Sequence, residues 1–171
     1  MAKRICVGYW MLYMNIHIRP LEVSDAQVSY RWRNDPELWV YTGFKPDKEI
    51  ALTDEKAWIK KVVADETCRR FAIIADGTYV GNIYITDIRD GTGEYHVFIG
   101  DKKFWGKGVA KEASLQIIAY AKKELKLHTI LLGVKKENIA ACKLYLKLGF
   151  SDDGEKDGFT RMKLDLASFK E

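Results

Sequence analysis

Apolar and polar side chains alternate from Asn15 to Arg19 and the alternation stops at Pro20, which predicts a short first strand. Ser24-Asp25-Ala26-Gln27 has the spacing of a capping box, so a helix is expected from Ser24 through Trp32, ended by Asn34-Asp35-Pro36. The stretch to Leu52 is irregular and aromatic, with Trp39, Tyr41 and Phe44 among Gly43 and Pro46. Thr53-Asp54-Glu55 supplies a cap and an acidic first turn for a second helix, whose apolar stripe is Trp58, Ile59, Val62 and Val63. Arg70 to Ala75 and Thr78 to Asp87 are β-rich runs joined by Asp76-Gly77, a strong hairpin signal. The turn Asp90-Gly91-Thr92-Gly93 leads into a further antiparallel strand, in which Glu94, His96 and Phe98 share one face and Tyr95, Val97 and Ile99 the other.

The period changes after Gly106-Lys107-Gly108. Ala110, Ala113, Ile117, Ile118, Ala121 and Leu125 recur at helical spacing, predicting a helix from Gly108 to about Lys126. His128 to Val134 reads as a buried strand, and strand, helix and strand in that order predict a right-handed crossover with parallel pairing. Asn138 is a helix cap; Ala141, Leu144, Tyr145 and Leu148 share the next helical face, which stops at Gly149. Phe150 onward reads as a closing hairpin with Phe159 to Leu166 as its last strand. The expected fold is a mixed α/β sheet of roughly six to seven strands, antiparallel early and parallel in the middle, flanked by about four helices.

Composition bounds the reading. The chain has 171 residues, enough for one domain with a sizeable core, and 47% hydrophobic with 30% charged residues is the make-up of an ordinary globular protein. A net charge of +4 suits an anionic ligand and falls short of a nucleic-acid-binding tail; no basic stripe is interleaved with aromatics. Cys6, Cys68 and Cys142 are odd in number and widely spaced, and with only three histidines neither a disulfide framework nor a metal site is indicated. A reducing cytoplasm fits this usage. Residues 1–14 carry two basic residues and then an apolar run, but the run is too short to span a bilayer, so it reads as a lead-in of uncertain status ahead of a single domain over 15–171, with no membrane partner.

The glycines at the strand-to-helix change let the backbone approach a ligand, and the free N–H groups of the first helical turn point into the same space, so an anion, above all a phosphate, is the natural occupant. An ordinary tight turn is the competing reading of Gly106 and Gly108 taken alone.

Lys103-Phe-Trp-Gly106-Lys-Gly108-Val-Ala110 after an apolar strand, followed by Asn138-x-x-Ala141-x-x-x-Tyr145-x-x-x-Gly149-Phe150, resembles the GNAT N-acetyltransferase superfamily, and within it the branch of ribosomal-protein N-terminal and spermidine acetyltransferases. The resemblance covers roughly Asn15 to Leu166 in element order. It implies the GNAT acyl-CoA N-acyltransferase fold and acetyl-CoA as co-substrate. Its pyrophosphate would be held by Lys103 and by backbone N–H groups of Trp105, Gly106, Lys107, Gly108, Val109 and Ala110, its pantetheine arm by Val97, Phe98 and Ile99, with Asn138 and Ala141 as further contacts. It implies Tyr145 as the acid that protonates the departing thiolate, the other reading being a core tyrosine beside Ala141 and Leu148. Glu94 is implied as the base, often acting through water, against a surface carboxylate; His96 shares its face and would substitute for it or cooperate with it, the other reading being a structural histidine. Trp39, Tyr41 and Phe44 would line the acceptor pocket, or else anchor their loop, and Asp35, Glu37, Asp47 and Glu49 would suit a cationic polyamine. The expected partner is a small-molecule primary amine such as a polyamine, amino-sugar or aminoglycoside. Alternatives are a protein N-terminus and a non-catalytic acyl-CoA-binding module. The expected assembly is a monomer or homodimer.

Overall fold

The computed structural model describes residues 14–42 and 46–169. The lead-in therefore lies outside the described residues apart from Met14, which packs against the core. Seven strands form one sheet in the order β1-β2-β3-β4-β5-β7-β6: β1 Ile16–Pro20, β2 Arg69–Ala75, β3 Thr78–Arg89, β4 Thr92–Ile99, β5 Thr129–Val134, β6 Ser151–Lys156 and β7 Phe159–Asp165. All neighbours are antiparallel except β4 and β5. Both turn residues at Asp76-Gly77, Asp90-Gly91 and Asp157-Gly158 have positive φ, the geometry whose twist matches a two-residue hairpin. β4 accordingly begins at Thr92, two residues before the expected start, because the turn needs only Asp90 and Gly91.

Helices α1 (Ala26–Arg33) and α2 (Leu52–Val63) cover one face of the sheet, and α3 (Val109–Lys123) and α4 (Ile139–Lys147) the other. The alternation along β2 serves both layers. Ile73 and Ala75 join the core with Ile117 and Ile118 of α3, whereas Ala72 and Ile74 pack with Ile59 of α2.

Helix starts differ from expectation for local reasons. The first box is formed by Glu22 and Asp25 rather than Ser24 and Gln27: Glu22 N donates to Asp25 Oδ2 at 2.8 Å, and Arg19 pairs with the same buried carboxylate at 2.6 Å. A 3-10 turn, Val23–Asp25, therefore precedes α1. In α2, Ala51 is the cap and its N–H donates to Asp54 Oδ2 at 3.4 Å, leaving Thr53 inside the first turn. Val63 is 44% exposed, and Glu55 takes a place on the buried face beside Ile59 instead. In α3, Val109 rather than Ala110 starts the buried stripe, and the helix ends at Lys123, before Leu125.

Candidate active site

β4 and β5 pair only from Thr92↔Thr129 to Glu94↔Leu131, after which the two strands diverge. The divergence opens a cleft of about 1470 Å³ that runs from the start of α3, past Tyr145 of α4, to the inner ends of α1 and α2. At its α3 end, Gly106 and Gly108 have φ of +70° and +80°, and a Cβ at either would meet no atom within 4 Å, so glycine is favoured there by backbone conformation rather than by crowding. The first hydrogen bond closing α3 is Glu112 N to Gly108 O, so the amides of Val109, Ala110 and Lys111 precede it and are available to a ligand. Trp105 differs from expectation. Its own amide donates to Lys102 O at 3.1 Å and its indole Nε1–H donates to Ile99 O at 2.8 Å, so it braces the loop against β4 and removes the Ile99 carbonyl from the open edge. Lys103 is exposed on the short turn before this loop, and Lys107 Nζ lies 5.6 Å from the Phe104 ring centroid.

Ser114 joins this loop to the strand: its hydroxyl donates to Ala110 O and meets Tyr95 Oη at 2.6 Å. Tyr95, on the α3 side of β4, in turn meets the Tyr145 ring edge-on at 5.9 Å. Tyr145 is 8% exposed and lines the cleft; burial pushes its phenol up to about 12. Asn138 caps α4 by accepting from Ala141 N at 3.2 Å, and both residues line the same wall.

On the opposite face of β4, Glu94, His96 and Phe98 all face the cleft, as their alternation predicts. Glu94 is held by both terminal nitrogens of Arg161, at 3.0 and 3.1 Å, and this pairing keeps its carboxyl below the usual range. Arg161 comes from β7 opposite Gly133 of β5, where a Cβ would approach its Nη1 to 3.0 Å; the missing side chain leaves the arginine its path across β5. Sequence reasoning missed Arg161, because the closing hairpin carries no motif. His96 is stacked on Tyr84 at 4.7 Å with Nε2 3.2 Å from Thr86 Oγ1, and burial pulls its pKa down to about 4. Both groups are therefore weaker bases than their free counterparts.

The acceptor half is aromatic. Trp39 lines it while its Nε1–H donates to Arg33 O at 2.9 Å, so one residue is both wall and anchor; Tyr41 lines it with 44% exposure. Phe44 lies outside the described residues. Trp32, Trp58 and Tyr84 complete the wall, and of these Tyr84, from β3, was not expected there. Asp35 and Glu37 do not present free charge, because Lys102 bridges them at 2.6 and 2.7 Å. Glu55 lies in the first turn of α2 as expected and is 1% exposed beneath this wall, where it accepts from Ser29 Oγ at 2.7 Å. No group of metal-ligating side chains occurs among the described residues, and no helix among them is long and apolar enough to cross a membrane.

Residues 15–151 match the acetyltransferase (GNAT) domain model. A spermidine N(1)-acetyltransferase of Escherichia coli K12 is 30% identical over 144 residues, covering 82% of this chain and 75% of that protein. Acetyltransferase PseH of Campylobacter jejuni is 28% identical over 138 residues, covering 80% and 84% respectively. Among solved structures, the Vibrio cholerae spermidine N-acetyltransferase in complex with CoA and spermine superposes with a TM-score of 0.79 at 23% identity, over 89% of this chain and 96% of that one. The open parallel pair, the glycine loop and the domain match agree, and the chain belongs to the GNAT acetyltransferase family.

Proposed function

We propose that this enzyme transfers the acetyl group of acetyl-CoA to a primary amine of a small molecule, directly within a ternary complex. One observation carries the reading: a single cleft connects the free amides at the start of α3, the unpaired edge of β4, the Tyr145 phenol and the aromatic wall of α1 and α2. The residues fit the co-substrate. Amides of Gly106 to Ala110 and the positive end of α3 suit a pyrophosphate, with Lys103 as a point charge. Backbone groups of Val97 and Phe98 past the last β5 pair suit an amide-bearing arm laid alongside like an added strand, and Asn138 and Ala141 border it. Bound acetyl-CoA supplies the activated thioester.

In the transfer a carbon–nitrogen bond forms and the carbon–sulfur bond breaks; Tyr145 gives its proton to the departing sulfur, and the amine proton leaves by water. The lowered basicity of Glu94 and His96 makes neither a strong enough base for an ammonium near pKa 10.4. Glu94, ionised in the grip of Arg161, and neutral His96 orient the incoming nitrogen, which enters as its unprotonated fraction. Cys142 turns its thiol toward Lys135 O at 3.7 Å, which supports direct transfer without an acyl-enzyme. Cys68 and Cys142 are free thiols, in keeping with a reducing cytoplasm, and a monomer or homodimer suffices for this chemistry.

The test is a coenzyme A release assay over polyamines, amino-sugars, aminoglycosides and short N-terminal peptides. Thiol release with a small amine is expected. Release with peptides alone would move the acceptor to a protein N-terminus, and tight acetyl-CoA binding without release on any amine would make the chain a binding module.

A further inference from the structure

Arg33, the last residue of α1, lines the acceptor half of the cleft with its side chain 21% exposed. Its guanidinium lies between two indoles, 5.5 Å from the Trp39 ring centroid and 4.8 Å from that of Trp58. The stacking continues behind it: Arg70 lies 5.1 Å from Trp58 and 4.1 Å from Tyr84, and Tyr84 stacks on His96. Held between flat faces, the Arg33 guanidinium is fixed in orientation, yet its side chain donates no hydrogen bond among the described residues and its Nε is buried without a partner. The nearest carboxylate oxygen, Glu55 Oε2, is 3.8 Å from Nη1, too far for a hydrogen bond, and is itself unpartnered. Glu55 thus offsets the charge of Arg33 and leaves its donors unspent.

The other carboxylates of the acceptor half are already paired, Glu37 with Lys102 at 2.7 Å and Glu94 with Arg161 at 3.0 Å. Asp157 lies away from this half, on the β6–β7 turn next to Gly158, whose carbonyl accepts from Lys135. An acceptor with a second ammonium group would shed water there and find only Glu55 Oε2, buried beside Arg33, whose charge that carboxylate already offsets. An oxygen, by contrast, would accept from a donor that lacks a partner.

We infer that Arg33 selects the acceptor, and that the acceptor presents hydrogen-bond-accepting oxygens beside its amine, as a hydroxylated ring amine does, rather than a second cationic nitrogen. The inference rests on the acetyl-transfer reading for the identity of the site, and a binding experiment separates the two. Calorimetry on the CoA-loaded protein compares glucosamine, glucosamine 6-phosphate and spermidine as probes. At least one oxygen-bearing amine should bind about tenfold or more tighter than spermidine. A gain on adding the phosphate identifies anionic oxygen as the preferred partner, and equal binding identifies the hydroxyls.

Arg33→Lys keeps the charge and loses the planar fork, so it should weaken the preferred probe about tenfold. The double variant Arg33→Gln, Glu55→Gln leaves no isolated buried charge and should bring the probes within about threefold of each other. CoA affinity, measured on the same samples, should stay unchanged in both variants and reports that the fold is intact. Spermidine binding equal to or tighter than the sugars, binding of none of the probes, or unchanged preference in the Arg33 variants would overturn the inference. Preserved selectivity with no thiol release would instead sink the acetyl-transfer reading and leave Arg33's role standing.

Discussion

Tyr145 has its phenol raised to about 12 by burial, which keeps it protonated throughout the working range; a thiolate whose conjugate thiol lies at about 8.5 takes that proton uphill, and the amine proton released to water restores the phenol. Replacement by Phe should lower kcat about 100-fold or more while acetyl-CoA affinity, read by calorimetry, changes little. Equal loss in both would reduce Tyr145 to packing against Tyr95 and Phe150. His96 makes a second residue-scale prediction. Its folded pKa of about 4 lies below the ordinary 6.5, so the unfolded chain binds a proton that the folded chain refuses between these values. Stability should therefore fall as pH drops from about 6.5 to about 4, by up to about 3 kcal/mol. Urea titrations of wild type and His96→Gln should show a shallower pH slope in the variant; identical slopes would contradict the burial argument.

At the scale of elements, the loop into α3 and the Arg161 bridge carry the site. Gly108→Ala meets no clash but must hold φ near +80°, so it should cost about 1 kcal/mol of stability. It should also weaken CoA binding several-fold in titration calorimetry, because the N-terminal amides of α3 shift with it. Arg161→Gln removes the group that keeps Glu94 below the usual carboxylate range. That stabilisation is present above the unfolded carboxylate's pKa and vanishes as pH falls through the folded value, so the variant's deficit, about 1–2 kcal/mol at neutral pH, should shrink in acid. A deficit that is constant with pH would place Arg161's contribution in packing. Neither partner was legible as a pair: Glu94 and Arg161 are 67 residues apart, and nothing in the closing hairpin's pattern marks an arginine that reaches across β5.

The whole molecule couples the two helical layers through the sheet. Trp32 of α1 seats its indole on Gly100 just past β4, where a Cβ would come within 2.0 Å of a ring carbon. Gly100→Ala should push α1 off the end of the strand, lowering stability by about 1–3 kcal/mol and disturbing acceptor binding more than CoA binding, since Trp32 lies on the acceptor side. Thermal melts and the two affinities test this, and a selective loss of CoA binding would refute the layer assignment.

The strand and helix order, the hairpins at Asp76-Gly77 and Asp90-Gly91, the glycine loop before α3 and the Asn138 cap were all readable along the chain, because each depends on side-chain period or on backbone φ preferences within a few residues. The same locality misplaced the caps of the first two helices by about two residues, since Arg19 and buried Asp25 settle the first start through a contact that spacing does not show. What only the tertiary structure decided is where charge is spent. Lys102 neutralising Asp35 and Glu37, Arg161 holding Glu94, and Arg33 stacked above a buried Glu55 all join residues from separate elements. Ion-pair energies follow distance and burial in space, and the linear order of residues records neither.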